Sequence, residues 1–211
     1  MHPLARLLTT LSILTLLVMS SLGEEISKLD AATNSYYDTI KSAQTAFRKT
    51  LGESLAEGTK MEIYLLDFDL KRYTGTSATN WKSNLPKDQF PIGPYKKVTR
   101  ILKTKTLDAE EMKKLLPSLQ ATVGVEKNSY GAMCHFPIHG LRVWMGYRLI
   151  LETSFCWMCG NFSLEYPDFS DSWVGLEGTK LKEIMNELMP IPKAETERFK
   201  KSMPNQDLLG K

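Results

Sequence analysis

Two apolar segments flank a two-residue turn in the chain, and this hairpin is the feature that most constrains the fold. Residues 141–145 precede Gly146 and Tyr147, and residues 148–152 follow them. A glycine in the first position of a two-residue loop is typical of a type II′ turn, which joins antiparallel strands. The sequence therefore predicts a β-hairpin here, and with it an antiparallel sheet.

The remaining periodic segments predict three helices and further strands. Apolar spacing predicts helices over residues 25–57, 108–119 and 181–188, and strands over 61–70, 98–105 and 161–166. Asp108 and Glu111 form a capping box, while Pro117 predicts a kink or an early end of the second helix. The strands follow one another too closely for repeated βαβ crossovers. We therefore expect an α+β fold, an antiparallel sheet with helices on one face, preceded by a long N-terminal helix.

The first residues have the pattern of an export signal. Arg6 gives a positive start with no acidic residue before Glu24, and residues 7–19 are apolar apart from small hydroxyl residues. Ser21 and Gly23 supply the small residues that a signal peptidase requires. An uncut membrane anchor is the alternative, but the apolar run is short for a hydrocarbon core of about 30 Å. The sequence predicts a signal peptide over 1–23 and an exported protein, periplasmic or secreted, without a membrane span after cleavage.

The rest of the chain divides into three predicted parts. Residues 24–60 form the N-terminal helix, residues 61–192 form the α+β domain, and residues 193–211 form a loose, charged tail. Hydrophobic residues make up 42% of the chain and charged residues 24%, which excludes a wholly disordered protein because a core can be built. For the N-terminal helix, packing into the core is favoured over a coiled-coil seam, because strong heptads are lacking.

Reactive side chains cluster on the two arms of the predicted hairpin. All three cysteines of the chain lie within 26 residues. Cys134 and His139 are on the first arm, and Cys156 and Cys159 are on the second. The antiparallel arms bring these four side chains to the same end of one hairpin.

A register argument pairs two of the cysteines. If Met145 faces Arg148 across the turn, the numbers of directly opposite residues sum to 293. Cys134 and Cys159 satisfy that sum, so an undisturbed ladder places them opposite each other. Pro137 lacks an N–H donor and disturbs the ladder, so this pairing is a tendency only.

Three kinds of site fit these residues. A structural disulfide joins Cys134 to Cys159 or to Cys156, because an exported protein reaches an oxidising compartment. A structural zinc ion is bound by Cys134, His139, Cys156 and Cys159, since zinc accepts a Cys₃His set. A redox pair uses the C-x-x-C motif alone, although the strand–motif–helix context of thioredoxin-like proteins is missing. The sequence leaves the choice between these three open.

Residues 134–142 and 155–159 resemble a pattern in exported bacterial proteins to which no activity is assigned. That pattern has a cysteine, a Pro-x-His-Gly segment and a Cys-Phe-x-Cys segment on one hairpin, preceded by a strand and a short helix. The matching residues here are Cys134, Pro137, His139, Gly140, Cys156 and Cys159, with Trp157 in the place of the Phe. The resemblance covers about residues 97–190. It implies the hairpin and its Cys/His site, and it implies no function.

A basic segment offers a second candidate surface. Residues 71–105 contain nine Lys or Arg against the single acid Asp88, with Tyr73, Trp81, Phe90 and Tyr95 interleaved. Such a surface suits an anionic polymer or an acidic protein. Nucleic acid is not expected as a partner of an exported protein.

The sequence favours a binding or interaction domain over an enzyme. The leading hypothesis is an exported α+β binding domain whose Cys/His hairpin is disulfide-linked or holds a structural metal, and zinc is the cofactor expected in the second case. The alternative is an exported redox or metal-dependent enzyme that uses the same cluster. Diagnostic nucleophile motifs such as G-x-S-x-G are missing from the sequence.

Overall fold

A computed structural model describes residues 3–72, 82, 85–124, 134–176 and 180–210, with side chains described from Ser27 onward. The chain forms two compact units, Met1–Gln44 and Thr45–Lys211. Nowhere in these described ranges is a helix both long and apolar enough to cross a bilayer.

The first helix, α1, spans Pro3–Ser54 and ends in a 3-10 turn over Leu55–Glu57. Its residues from Thr45 onward belong to the second unit, so that unit begins earlier than the boundary predicted at residue 61. The apolar stripe predicted to pack into the core does so at Leu51 and Leu55, which are buried. Farther toward the N-terminus, within the first unit, Leu29, Tyr36 and Tyr37 are exposed.

An antiparallel sheet forms the centre of the second unit and gives the predicted α+β fold. Its strands run in the order β2-β4-β1-β5-β6-β7-β8, and β3 also pairs with β4. The bounds are β1 Lys60–Leu66, β2 Lys71–Arg72, β3 Gln89–Ile92, β4 Lys97–Thr106, β5 His139–Met145, β6 Arg148–Cys156, β7 Asn161–Glu165 and β8 Asp171–Gly175. The sheet curls, so that Trp173 of β8 meets Tyr95, which follows β3, at 4.9 Å between ring centroids.

The β5–β6 hairpin has the predicted turn but a different register. Gly146 has a φ of 61°, as the first position of a type II′ turn requires, and Met145 faces Arg148. A bulge at Val143 and Trp144 then shifts the pairing by one residue. The ladder ends where His139 faces Phe155, so the predicted ladder position of Cys134 opposite Cys159 is wrong.

Three further helices complete the unit: α2 Ala109–Val123, α3 Lys180–Leu188 and α4 Lys193–Ser202. The capping box is confirmed, because the Glu111 N–H donates to Asp108 at 2.9 Å and the Glu111 carboxylate accepts from the Asp108 N–H. Pro117 does not end α2, which continues to Val123. The C-terminal segment predicted to be loose contains α4, and its Phe199 and Leu208 are buried.

Successive side chains of β1 point to opposite faces of the sheet, so the core has two layers. Met61, Ile63 and Leu65 of β1 face the helices, in one cluster with residues of all four helices. Tyr64 and Leu66 point to the other face of the sheet, where they pack with Phe90 and Ile92 inside the curl. The curl therefore has an apolar interior of its own.

The buried cation Arg48 joins the end of α1 to the end of α2. Its guanidinium donates to the carbonyl oxygens of Val123, at 3.0 Å, and Thr122, at 3.3 Å, and its side chain is 1% exposed. The last carbonyls of a helix lack partners within the helix and carry partial negative charge. Arg48 therefore satisfies acceptors that are otherwise buried without a donor.

We predict that Arg48→Met lowers the free energy of unfolding by about 2 kcal/mol, because it leaves buried carbonyls without a donor. Urea denaturation of the full chain measures this change. Lys49→Met is the matched control, since Lys49 is exposed. Equal midpoints for the two variants would contradict the capping role of Arg48.

Candidate functional site

The C-x-x-C motif forms the turn between β6 and β7. Cys156 is the last residue of β6, and residues 157–160 form the turn. The Gly160 N–H donates to the Trp157 carbonyl at 3.3 Å, and Gly160 has a φ of 61°. Glycine adopts this left-handed conformation at little cost, which allows the chain to reverse directly after Cys159.

The sulfur of Cys156 lies in a nest of main-chain donors. Its side chain is fully buried, and Sγ accepts the N–H groups of Phe136 and Cys159, each at 3.3 Å. The hydrogen bond from the Cys159 thiol, reinforced by these main-chain donors, lowers the pKa of Cys156 below its ordinary value. The turn is therefore built to stabilise a thiolate at Cys156.

Cys159 links the other two cysteines. Its main-chain N–H donates to Cys156 Sγ at 3.3 Å, and its thiol interacts electrostatically with both the Cys156 and the Cys134 side chains. Its hydrogen bond to Cys156, together with burial, raises the pKa of Cys159 far above its ordinary value. Cys156 is buried, Cys159 is half-buried and Cys134 is exposed, and all three are free thiols. The structure thus brings together the three predicted cysteines, although the ladder does not pair them.

His139, the fourth predicted ligand, holds the turn in place from inside the core. Its Nε2–H donates to the Met189 carbonyl at 2.7 Å, and its Nδ1 accepts the Trp157 indole N–H at 2.8 Å. Burial lowers the pKa of His139 to about 4, so the ring is neutral. With both nitrogens engaged, His139 offers no lone pair to a metal, and the predicted Cys₃His set lacks its histidine.

The neighbouring His135 is part of the site, and sequence reasoning missed it. Asn161 donates its amide N–H to the Cys134 carbonyl at 2.9 Å, so its Oδ1 accepts from His135 Nδ1 at 2.6 Å. His135 Nε2 accepts from the Ser154 hydroxyl at 2.9 Å, and Ser154 in turn contacts the Ser163 hydroxyl at 3.1 Å. The only sequence signal was that His135 directly follows Cys134.

This buried hydrogen-bond chain fixes the backbone at Cys134. His135 is 1% exposed and stacks on Trp173 with ring centroids 4.1 Å apart. Burial lowers the pKa of His135 to about 4, so it is neutral like His139. A fully bonded network of this kind holds one geometry.

A cleft of about 550 Å³ opens beside Cys134. Its lining includes Phe68, Tyr95, Phe136 and Met203, with Lys97 and Arg198 among its charged residues. Arg198 is paired with Asp67 and Glu195, each at 2.6 Å. The cleft is therefore lined by both apolar and charged side chains, and it borders Cys134, the exposed cysteine.

The predicted basic segment is partly neutralised. Lys82 pairs with Glu165 at 2.5 Å, Lys105 with Glu111 at 2.5 Å, and Arg100 with Asp67 at 3.4 Å. Phe90 is buried within the sheet, and Tyr95 lies beside the cysteines. Tyr73 and Trp81 lie outside the described residues. An anionic polymer or acidic protein as partner of this segment stays a prediction.

Across the described ranges, His, Cys, Asp and Glu side chains form no group of three or more that is arranged to hold a metal ion. Comparison of the chain with protein-family models, with curated proteins and with solved structures finds no match. The site must therefore be interpreted from its own geometry.

We predict that the folded protein loses stability as the pH falls from about 6.5 to about 4. Unfolded histidines titrate near 6.5, whereas His135 and His139 titrate near 4 when folded, so in this window the unfolded chain binds more protons. The loss is about 3 kcal/mol for each histidine, because one pKa unit corresponds to about 1.4 kcal/mol.

Urea denaturation at several pH values measures this loss, and His135→Gln serves as the control that removes one titrating group. The variant should show a shallower decline over the same window. A flat profile for the unmodified protein between pH 6.5 and 4.5 would contradict neutral, buried histidines.

Proposed function

We propose that this protein is an exported α+β protein whose three cysteines form a thiol–disulfide exchange site. The observation that carries the proposal is the C-x-x-C turn. Cys156 Sγ accepts two main-chain N–H groups there and lies beside Cys159, which also reaches the exposed Cys134. This is the redox alternative that the sequence left open.

The chemistry is an exchange with a disulfide of a partner molecule. Two cysteine thiols of the protein give up two electrons and two protons and form a disulfide, and the partner disulfide R–S–S–R becomes two thiols R–SH. Such exchange proceeds through a thiolate that attacks a disulfide sulfur. Exposed Cys134 supplies a thiol that a partner disulfide can reach, and the C-x-x-C turn beside it supplies the second cysteine.

The accessibility of Cys134 favours exchange over a purely structural disulfide. Cys134 is exposed and borders a cleft of about 550 Å³, which gives a partner access to one thiol. A disulfide with a purely structural role needs two cysteines and does not require a third, accessible one. The predicted signal over residues 1–23 supports export into a compartment where disulfides persist.

A zinc ion held by the same cluster is the competing proposal. Three thiolates are suitable ligands for zinc, but both ring nitrogens of His139 are already hydrogen-bonded, one to Met189 and one to Trp157. A four-coordinate structural site then needs a ligand from elsewhere. The partner binding predicted from the sequence remains part of this proposal, because a partner that carries a disulfide binds in the cleft.

The test is a thiol titration combined with elemental analysis. The reduced protein, purified without chelator, should show three thiols and no stoichiometric zinc. After equilibration with oxidised glutathione it should show one thiol, a mass lower by two hydrogens, and full recovery of three thiols in dithiothreitol.

Cys159→Ser is the control, because it removes the cysteine that lies next to both others. This variant should keep its two thiols or form mixed disulfides with glutathione. Three unreactive thiols in the unmodified protein would overturn the proposal, and one tightly held zinc ion per chain would replace it with the metal site.

A further inference from the structure

We infer that the exchange-active disulfide joins Cys134 to Cys159, and that the two cysteines of the C-x-x-C motif do not form it. The inference rests on the proposed function and assigns a distinct role to each thiol. Cys134 attacks the partner, Cys159 resolves the mixed disulfide, and Cys156 stays reduced.

Access to the partner decides which cysteine attacks first. Cys134 is exposed, whereas the Cys156 side chain is fully buried and Cys159 is half-buried. In an exchange reaction the attacking sulfur, the central sulfur and the leaving sulfur lie in one line, which needs open space around the attacking thiol. Within the cluster, the cleft beside Cys134 provides that space.

Hydrogen bonds prevent the sulfur of Cys156 from reacting with a partner disulfide. Its Sγ faces the N–H groups of Phe136 and Cys159, so a partner sulfur can reach it only after the turn opens. The turn is held shut by the Trp157 indole, which donates to His139 and stacks on Phe155 at 5.1 Å between ring centroids. Exchange requires access of the partner sulfur as well as a thiolate, so Cys156 does not react although its thiolate is stabilised.

The hydrogen-bond chain through Asn161 holds Cys134 at the mouth of the cleft. Asn161 bonds the Cys134 carbonyl and is itself bonded to the buried His135. The backbone of Cys134 is thereby fixed next to Cys159 before any partner arrives. A positioned second thiol reacts far faster than one that must diffuse, because the entropy of approach has already been lost.

The reaction has two balanced steps. In the first, the Cys134 thiolate attacks one sulfur of R–S–S–R, the partner bond breaks, Cys134–S–S–R forms, and R–S⁻ leaves and takes up a proton from water. In the second, Cys159 gives up its proton to water as its sulfur attacks Cys134 Sγ, the Cys134–Cys159 disulfide forms, the bond to R breaks, and R–S⁻ leaves and takes up a proton. The protein loses two electrons and the partner gains two.

The substrate class follows from the cleft. Its lining combines the apolar side chains of Phe68, Phe136 and Met203 with the charged side chains of Asp69, Lys97 and Arg198, which suits a peptide segment that carries both kinds of side chain beside an exposed disulfide. Oxidised glutathione serves as the probe because its disulfide is accessible.

Tryptic mapping of the oxidised full-length protein tests the assignment. Cleavage after Lys127, Arg142, Arg148 and Lys180 puts Cys134 on peptide 128–142 and the other two cysteines on peptide 149–180. A disulfide that involves Cys134 therefore links two peptides, whereas a Cys156–Cys159 disulfide stays within one. We expect the linked pair, with Cys156 alone carrying an alkylating label added before reduction.

The reaction rates of single variants test the role assigned to each cysteine. Cys134→Ser should lower the second-order rate constant with oxidised glutathione by about tenfold or more, since the remaining thiols are poorly accessible. Cys156→Ser should still yield the linked peptides, because a Cys134–Cys159 disulfide does not contain the Cys156 sulfur. Cys159→Ser should accumulate glutathione on Cys134, and Thr104→Ala is a control at an exposed hydroxyl of β4 that keeps all three thiols.

The outcomes separate the inference from the proposed function. A disulfide within peptide 149–180, or glutathione trapped on Cys156, would overturn the assignment and leave thiol–disulfide exchange standing. No disulfide and no mixed disulfide on any cysteine would overturn both. Should Cys156→Ser fail to fold, the linked peptides and the label on Cys156 in the unmodified protein still decide.

Discussion

The hydrogen bond between the Trp157 indole and His139 is the contact on which the site depends. It ties the turn that carries Cys156 and Cys159 to strand β5, and through Met189 to the end of α3. Because the His139 ring is fully buried and neutral, it accepts from Trp157 on one nitrogen and donates to Met189 with the other. The residue predicted to bind a metal is thus the residue that shapes the thiol turn.

Local signals in the sequence predicted local structure well. The glycine turn of the hairpin and the capping box of Asp108 both follow from residues close together in the chain, and both are confirmed. The bulge at Val143 and Trp144 was not predictable, because it reflects how β5 fits between its two neighbouring strands. This shift of one residue means that the register predicted to pair Cys134 with Cys159 does not hold.

Non-local structure explains what the sequence did not reveal about the site. The gathering of Cys134, Cys156 and Cys159 was predictable from hairpin geometry alone. The role of His135 was not, because its partners Asn161 and Trp173 come from strands β7 and β8 and reach it only when the sheet curls. The C-terminal segment appeared loose because it has few apolar residues, yet two of them, Phe199 and Leu208, are buried.

The central claim is that the cysteine cluster is a working thiol–disulfide couple, and its reduction potential tests that claim most directly. Equilibration of the full chain with glutathione buffers of known ratio, followed by acid quenching and mass analysis, gives the fraction oxidised at each potential. A potential between about −270 and −120 mV, the range of exchange-active proteins, is the result we predict. A potential below about −300 mV would mark a structural disulfide and would contradict the claim.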